Sequence, residues 1–185
     1  MSWIQQIDFM ILEWIQSHLQ GAALDLLMPT ITALGNGGWL FILLALVLLL
    51  SKRYRRQGCA LAVSLLLCLL VGNLFLKPLF ARLRPFEVAG LSELLISPPT
   101  DYSFPSGHTM ASFACAGVFW HYRRDFGRWS VVLLILAALI GFSRLYLYVH
   151  FSTDVLCGAL LGLVFAALAV HLCDRAGACR MQKGR

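Results

Sequence analysis

The sequence has few charged residues for its length. Only 13% of its 185 residues are charged and 59% are hydrophobic, whereas a soluble domain normally carries about 25% charged residues. The apolar residues stand in long runs, among them 39–50, 59–76, 131–142 and 155–172. This scarcity of charge excludes an ordinary soluble domain. It predicts an all-α, polytopic membrane protein, folded as a single membrane domain over residues 1–185.

Two further absences narrow the class of protein. The six cysteines include no Cys-x-x-Cys pair and no histidine at zinc-finger spacing, so we expect small apolar side chains or cytoplasmic thiols and no metal site. No Lys or Arg precedes Lys52, although a cleavable signal peptide begins with a basic region. We therefore expect residues 1–51 to belong to the mature fold.

Four segments approach the roughly 20 apolar residues that a membrane span needs. They are residues 57–80, 105–122, 129–148 and 153–173. Two shorter apolar runs precede them, at 21–34 and 39–50, and the turn-forming residues Gly35-Asn36-Gly37-Gly38 separate the two runs. We interpret the two runs as a pair of spanning helices, which gives five or six transmembrane helices in total.

The N-terminal segment has a different pattern. Residues 3–19 place Ile4, Ile7, Ile11 and Trp14 at helical spacing beside polar residues, which is typical of an amphipathic helix. Such a helix lies in the membrane interface. We expect residues 1–20 to form one.

Most of the positive charge follows the topology of a membrane protein. Eleven of the fifteen Lys and Arg residues form three clusters, with two predicted crossings between successive clusters. They lie within 52–56, 123–128 and 175–185. The positive-inside rule makes this side cytoplasmic, and residues 174–185 a cytoplasmic basic tail. The net charge of +6 therefore indicates membrane lipids as partners and no nucleic acid.

Four cations do not fit this topology. Lys77, Arg82, Arg84 and Arg144 fall at the opposite, outer face, at two places far apart in sequence. Cations at the membrane boundary are costly and generally serve a function. We expect the two outer regions to share a pocket that binds an anion.

The first motif contains two of these cations. Lys77 and Arg84 are seven residues apart, which on a helix corresponds to two turns and one face. We expect Pro85 to end that helix. Taken alone, the cluster is also consistent with cations that extend to the membrane interface.

The second motif, Phe104-Pro105-Ser106-Gly107-His108-Thr109, leads into an apolar run and has the pattern of a helix N-terminus. Free amides at such an end form an anion site, to which Ser106 adds a hydroxyl donor. Gly107 permits close approach, and His108 lies at the mouth. A capped helix start is the alternative interpretation, although capping does not require His108.

The third motif contains His150 and Asp154, four residues apart. On a helix the carboxylate can reach one imidazole nitrogen and fix its tautomer, which leaves the other nitrogen free as a nucleophile or base. The alternative is a polar pair that holds two helices together. Cations, a helix N-terminus, two histidines and an orienting carboxylate are together what phosphoryl transfer requires.

The combination resembles the type 2 phosphatidic acid phosphatase (PAP2) superfamily. Its three signature motifs are matched, in order, by Lys77 with Arg84-Pro85, by Pro105-Ser-Gly-His108, and by Ser143-Arg144 with His150 and Asp154. The resemblance covers roughly residues 20–175. It implies a PAP2 or haloperoxidase-like helical core and a metal-independent lipid phosphatase that needs no cofactor and forms a phosphohistidine.

The resemblance also assigns roles to residues. His150 would attack phosphorus, Asp154 would orient it, and His108 would protonate the departing oxygen and later act as the base for water. The phosphate oxygens would be held by Lys77, Arg84, Ser106, Gly107 and Arg144. Arg82 is not a signature position, so we leave it as a contact behind the site or to the headgroup.

Within the superfamily, this compact chain resembles the bacterial undecaprenyl-diphosphate phosphatases. That implies hydrolysis of undecaprenyl diphosphate to undecaprenyl phosphate at the outer, extracytoplasmic face of the bacterial cytoplasmic (inner) membrane. Phosphatidylglycerophosphate, phosphatidic acid and lipid A are alternative substrates, and a non-catalytic anion-binding protein or transporter is a distant alternative. We expect residues 85–105 to form an outer loop bordering the site, with a short apolar helix over 91–96. The sequence leaves the oligomeric state open.

Overall fold

The computed structural model describes the backbone of residues 3–183 and the side chains of residues 3–176, and this part of the chain is helical without strands. The helices are α1 (Trp3–Leu19), α2 (Ala22–Ala33), α3 (Trp39–Leu50), α4 (Arg55–Leu67), α5 (Lys77–Phe80), α6 (Pro85–Ala89), α7 (Gly107–His121), α8 (Arg123–Phe126), α9 (Arg128–Tyr146) and α10 (Ser152–Lys183). A π-helix, Cys68–Leu76, joins α4 to α5. The side chains of Cys179 and of the basic tail residues Arg180, Lys183 and Arg185 lie outside the described residues.

Four helical segments of the described chain are long and apolar enough to cross a membrane. They are Ala22–Leu50, Arg55–Ala89, Arg128–Tyr146 and Ser152–Ala176. Their outer surfaces are apolar, since Leu46, Leu74 and Leu160 are 52%, 62% and 64% exposed. The chain is a multi-pass membrane protein with an all-α bundle, as the low charge predicts.

That the two runs at 21–34 and 39–50 cross the membrane as separate spans stays a prediction. Helices α2 and α3 are present, but together they form one 29-residue candidate span, Ala22–Leu50. A 3-10 turn, Asn36–Gly38, interrupts it. Gly37 and Gly38 have φ angles of 57° and 68° there, a backbone region that glycine enters without steric cost. Each helix alone has 12 residues, about 18 Å, against a hydrocarbon core of about 30 Å.

Helix α7 lies inside the bundle, in contact with α4, α9 and α10. It contains 15 residues and is about 22 Å long, so the complete span at 105–122 stays a prediction, as does the total of five or six transmembrane helices.

Close backbone contact holds α10 against α7. A Cβ atom at Gly162 would lie 2.3 Å from the Met110 carbonyl oxygen, and one at Gly158 would lie 2.8 Å from that of Ser106. The Gly-x-x-x-Gly spacing therefore brings the two helices together.

Helix α1 packs against the end of α9 and the start of α10, which carry the third motif. Leu12 and Ile15 are buried, the Gln16 amide donates to the Tyr146 carbonyl oxygen at 2.8 Å, and the Phe9 ring meets the Phe151 ring edge-on at 5.2 Å. Its place in the membrane interface stays a prediction.

Three expectations for the first motif and the loop after it are wrong. The helix ends at Phe80, because Ala81 adopts a left-handed conformation with φ 43°, so Lys77 and Arg84 do not share a helix face. Pro85 begins α6 instead of ending a helix, which its fixed φ and missing N–H favour. The helix expected over 91–96 is absent, since those residues form an irregular loop.

Candidate active site

The three motifs meet at a cavity of about 470 Å³. Among the residues that line it are Lys77, Arg84, Asp101, His108, Arg144 and His150. Three of the four cations that do not fit the topology therefore share one pocket, as the sequence predicts, while Arg82 lies outside its lining. Ser106 and Asp154 are also absent from the lining, and Gly107 faces a neighbouring groove.

Arg84 is the most connected cation of the cavity. Its NH1 group donates to the Val149 carbonyl oxygen at 2.7 Å and lies 3.2 Å from His150 Nε2. Its Nε and NH2 groups bind the carbonyl and carboxylate oxygens of Asp101 at 2.8 and 2.5 Å. Because the side chain is only 2% exposed, these contacts fix the guanidinium in one orientation.

His150 presents its Nε2 atom to Arg84 and its Nδ1 atom to the protein behind it. A guanidinium can only donate, so the contact at 3.2 Å indicates that Nε2 carries no proton. Burial lowers the pKa of His150 well below its usual range, and the positive charges of Arg84, Arg144 and Lys77 act in the same direction. The imidazole is therefore neutral, with an unprotonated nitrogen on the side of the cations.

The contact between His150 and Asp154 differs from the one predicted. His150 precedes α10 instead of lying on it, and its Nδ1 atom is 3.7 Å from Asp154 Oδ2, too far for a hydrogen bond. The Ser103 hydroxyl lies between them. It donates to Asp154 Oδ2 at 2.5 Å and is 3.4 Å from His150 Nδ1. Sequence reasoning missed Ser103, because 47 residues separate it from His150 and no spacing rule links them.

Arg144 and Ser106 occupy different surroundings. Arg144 is buried, donates from NH1 to Thr32 Oγ1 at 2.7 Å, and leaves its Nε–H without a partner. A buried donor of this kind favours an anion as its missing partner. Ser106 is the N-cap of α7, and its hydroxyl contacts Thr109 Oγ1 at 2.9 Å.

His108 lies between the polar cavity and a neighbouring groove. Its Nε2 atom is 2.8 Å from Asn36 Oδ1, so the 3-10 turn holds the ring in place. It lines the polar cavity and also a groove of about 490 Å³. The groove is mainly apolar and runs along α3, α4 and the π-helix, past residues that include Ile42, Leu46, Leu49, Leu65 and Leu69.

Asp101 is a second residue that the motifs did not identify. Its carboxylate pairs with Lys77 and with Arg84 NH2, so it joins the two cations that the break at Ala81 separates. Burial alone would raise the pKa of Asp101, but hydrogen bonds and charge from Lys77 and Arg84 outweigh it and lower the pKa to about 2. The carboxylate is therefore ionised throughout the range of ordinary assays.

Replacing Asp101 with Asn is expected to tighten the binding of inorganic phosphate by roughly tenfold, since it removes a negative charge that competes for Lys77 and Arg84. The inhibition constant of phosphate, measured in an assay of phosphate release, tests this. The gain should be the same at pH 5 and pH 8 once phosphate ionisation is corrected for, because the pKa of about 2 keeps Asp101 charged at both. Glu93→Gln, an equal charge change on the same loop, is the control. Weaker phosphate binding in Asp101→Asn would contradict the prediction.

The arrangement can perform displacement at phosphorus. Three fixed cations surround a space beside an unprotonated imidazole nitrogen, and a second histidine lines the same cavity. Groups of the kinds that can stabilise charge, attack phosphorus and carry a proton are thus within one cavity. Within the described residues, no group of three or more His, Cys, Asp or Glu side chains could hold a metal ion.

Comparisons with known proteins give a consistent result. A family model described as the PAP2 superfamily matches residues 57–177. An undecaprenyl-diphosphatase of Sulfolobus acidocaldarius is 34% identical over 157 residues, which cover 84% of this chain and 74% of that protein. A lipid A 4'-phosphatase of Porphyromonas gingivalis is 27% identical over 139 residues, 68% of this chain and 58% of that protein. The crystal structure of LpxE from Aquifex aeolicus superposes with a TM-score of 0.76 at 27% identity, covering 89% of this chain and 95% of that one.

Proposed function

Because this chain belongs to the PAP2 superfamily of membrane phosphatases, we propose that it hydrolyses undecaprenyl diphosphate to undecaprenyl phosphate without a metal, through a phosphohistidine at His150. One observation carries the proposal. The unprotonated Nε2 atom of His150 faces Arg84 in a cavity that Lys77, Arg144 and His108 also line.

In the first step, His150 Nε2 attacks the terminal phosphorus. A bond forms between nitrogen and phosphorus while the bond from phosphorus to the bridging oxygen breaks. Lys77, Arg84 and Arg144 stabilise the charge on the phosphoryl oxygens. His108, which enters this step as the imidazolium, gives a proton to the departing oxygen and becomes neutral. The negative charge of Asp154 stabilises the positive charge that forms on the His150 ring.

In the second step, water attacks the phosphohistidine. His108, which has lost its proton to the leaving group, accepts one from water as the oxygen-phosphorus bond forms and the nitrogen-phosphorus bond breaks. Inorganic phosphate leaves, and His150 returns to its neutral form. Phosphate binding requires that Asp101 release Lys77 and Arg84, because its carboxylate occupies the same donors.

The groove beside His108 supports a lipid substrate. Its apolar walls of α3, α4 and the π-helix begin at the polar cavity, since Lys77, Asp101 and His108 line both spaces. A lipid chain in the groove would place its phosphate among the cations. The 34% identity to an undecaprenyl-diphosphatase favours a polyprenyl chain.

Charge supports the orientation that we propose. The clusters at 52–56 and 123–128 lie at the ends of the spans away from the cavity, which the positive-inside rule assigns to the cytoplasm. The site then faces the extracytoplasmic side of the cytoplasmic membrane.

A comparison of substrates tests the proposal. Purified protein in one detergent, with EDTA present, is given undecaprenyl diphosphate, phosphatidylglycerophosphate, phosphatidic acid and lipid A, and phosphate release is measured. We expect kcat/KM to be highest for undecaprenyl diphosphate, by about tenfold or more, if contacts of a polyprenyl chain along the apolar groove contribute to transition-state binding. A higher kcat/KM for lipid A, which the similarity to a lipid A 4'-phosphatase makes the second candidate, would overturn the assignment of substrate and leave the chemistry standing.

A further inference from the structure

Arg82 lies outside the signature positions and outside the cavity, yet it is held by several contacts. Its NH1 group donates to Asp154 Oδ1 at 2.6 Å and to Thr153 Oγ1 at 2.7 Å, and its NH2 group donates to Asp8 Oδ2 at 2.7 Å. The guanidinium also lies 4.1 Å from the centroid of the Phe151 ring. One arginine therefore bridges two carboxylates, both of which are fully buried.

Asp8, on α1, also accepts hydrogen bonds from the first residues of α10. Its Oδ1 atom accepts from the Ser152 hydroxyl at 2.5 Å and from the Thr153 amide at 2.9 Å. The first amides of a helix lack partners within the helix, and a carboxylate there is favoured by the helix dipole. Asp8 therefore acts as a cap supplied by a separate helix, at the turn that carries Asp154.

These contacts leave Asp154 with a single orientation. Arg82 holds its Oδ1 atom, so Oδ2 is directed toward the Phe151 amide at 2.9 Å and toward Ser103 and His150. Without Arg82, no described contact holds Oδ1, and the angle of the carboxylate toward His150 is set only by the contacts of Oδ2 with Phe151 and Ser103. A misplacement of about 1 Å at a reacting group can cost roughly 100-fold in rate.

We propose that Asp8 and Arg82 are positioning residues that align Asp154 with His150, so that the docking of α1 forms part of the catalytic apparatus. The proposal rests on the function proposed above, in which His150 is the nucleophile. It gives α1, which lies outside the three motifs, a role in the rate of the phosphoryl step. It also gives a function to Arg82, the one outer cation that does not line the cavity.

The test measures kcat and KM for phosphate release from a lipid phosphate in purified Arg82→Gln and Asp8→Asn. We expect kcat to fall by about 100-fold in Arg82→Gln and by about tenfold in Asp8→Asn, with KM within about threefold of wild type. Arg82→Lys should recover part of the loss in kcat, because it keeps one charge but cannot bridge both carboxylates. Glu13→Gln, an equal charge change at an exposed position of α1, should leave both constants unchanged.

A double-mutant cycle separates positioning from a general structural role. If Arg82 acts through Asp154, Arg82→Gln should cost less than about threefold in kcat when Asp154 is already Asn. The thermal unfolding midpoint of each variant shows whether it folds, and Asp8→Asn keeps the shape of the side chain if a larger change unfolds the protein. Full and independent losses in the double variant would overturn the proposal, as would unchanged kcat in Arg82→Gln.

Failure of this inference can be distinguished from failure of the proposed function. If His150→Ala is inactive while Arg82→Gln and Asp8→Asn keep wild-type kcat, only the positioning role is wrong. If His150→Ala keeps full activity, the proposed mechanism is wrong whatever the two variants show.

Discussion

Replacing His150 with Ala is expected to reduce phosphate release from a lipid phosphate by roughly 10⁴-fold or more, because loss of a covalent nucleophile removes the main reaction path. Phosphate release by purified protein in detergent measures the loss, and circular dichroism and the thermal unfolding midpoint check the fold. His171→Ala is a matched control, since this exposed histidine of α10 lies outside the motifs. Substantial activity in His150→Ala would contradict the mechanism.

The metal and pH dependence of the wild-type enzyme belong to the same prediction. EDTA should leave the rate unchanged, and a strict requirement for added Mg²⁺ would contradict a reaction without metal. The pKa of His150 lies well below its usual value, through burial and the nearby cations, and the usual value is about 6.5. His150 therefore stays neutral in the free protein as the pH falls through 6.5, and we expect the acid limb of kcat/KM that belongs to His150 to lie below that pH.

Replacing His108 with Ala should have a large effect that depends on the leaving group. For a lipid phosphomonoester, whose leaving group is an alkoxide, we expect a loss of roughly 10³-fold in the rate of phosphohistidine formation, because general acid catalysis contributes about 10²–10⁴-fold. For p-nitrophenyl phosphate, whose leaving group needs no proton, the loss in that step should be under about tenfold. A lipid diphosphate should fall between them, since its leaving group is itself a phosphate.

Single-turnover experiments with quenched protein provide the measurement, because they separate formation of the phosphohistidine from its hydrolysis. Asn36→Ala is an informative companion, since it removes the partner of His108 Nε2 at 2.8 Å while keeping the imidazole. It should show the same order among substrates with smaller losses. Equal losses for all three substrates in His108→Ala would contradict the role of His108 as an acid.

The sequence predicts the class of fold and the residues around the cavity better than their local geometry. Residue types and order identified Lys77, Arg84, His108 and His150, all of which line one space. The prediction that Lys77 and Arg84 share one helix face was wrong, because Ala81 takes a left-handed conformation that local propensity does not favour. Beside it, the Ser103 amide donates to the Arg82 carbonyl oxygen at 2.8 Å, a contact that sequence spacing does not encode.

The residues that were missed have a common property. Asp8, Asp101 and Ser103 contact the motifs from far away in the sequence. The Asp101 carbonyl oxygen binds Arg84 across 17 positions, and Asp8 accepts from the Thr153 amide across 145. Periodicity within a helix identifies partners three or four residues apart. No such rule predicts partners that a separate loop or helix contributes, so these residues can be identified only from the folded structure.

The shared lining of the polar cavity and the apolar groove has a thermodynamic consequence. If a lipid diphosphate is hydrolysed there, its two products have opposite solubilities. Phosphate enters the water and is diluted, whereas the lipid monophosphate stays in the same leaflet of the membrane as the substrate. The reverse reaction would need both to meet again at one boundary. Partition of the two products between water and membrane therefore adds to the free energy of hydrolysis in driving turnover forward.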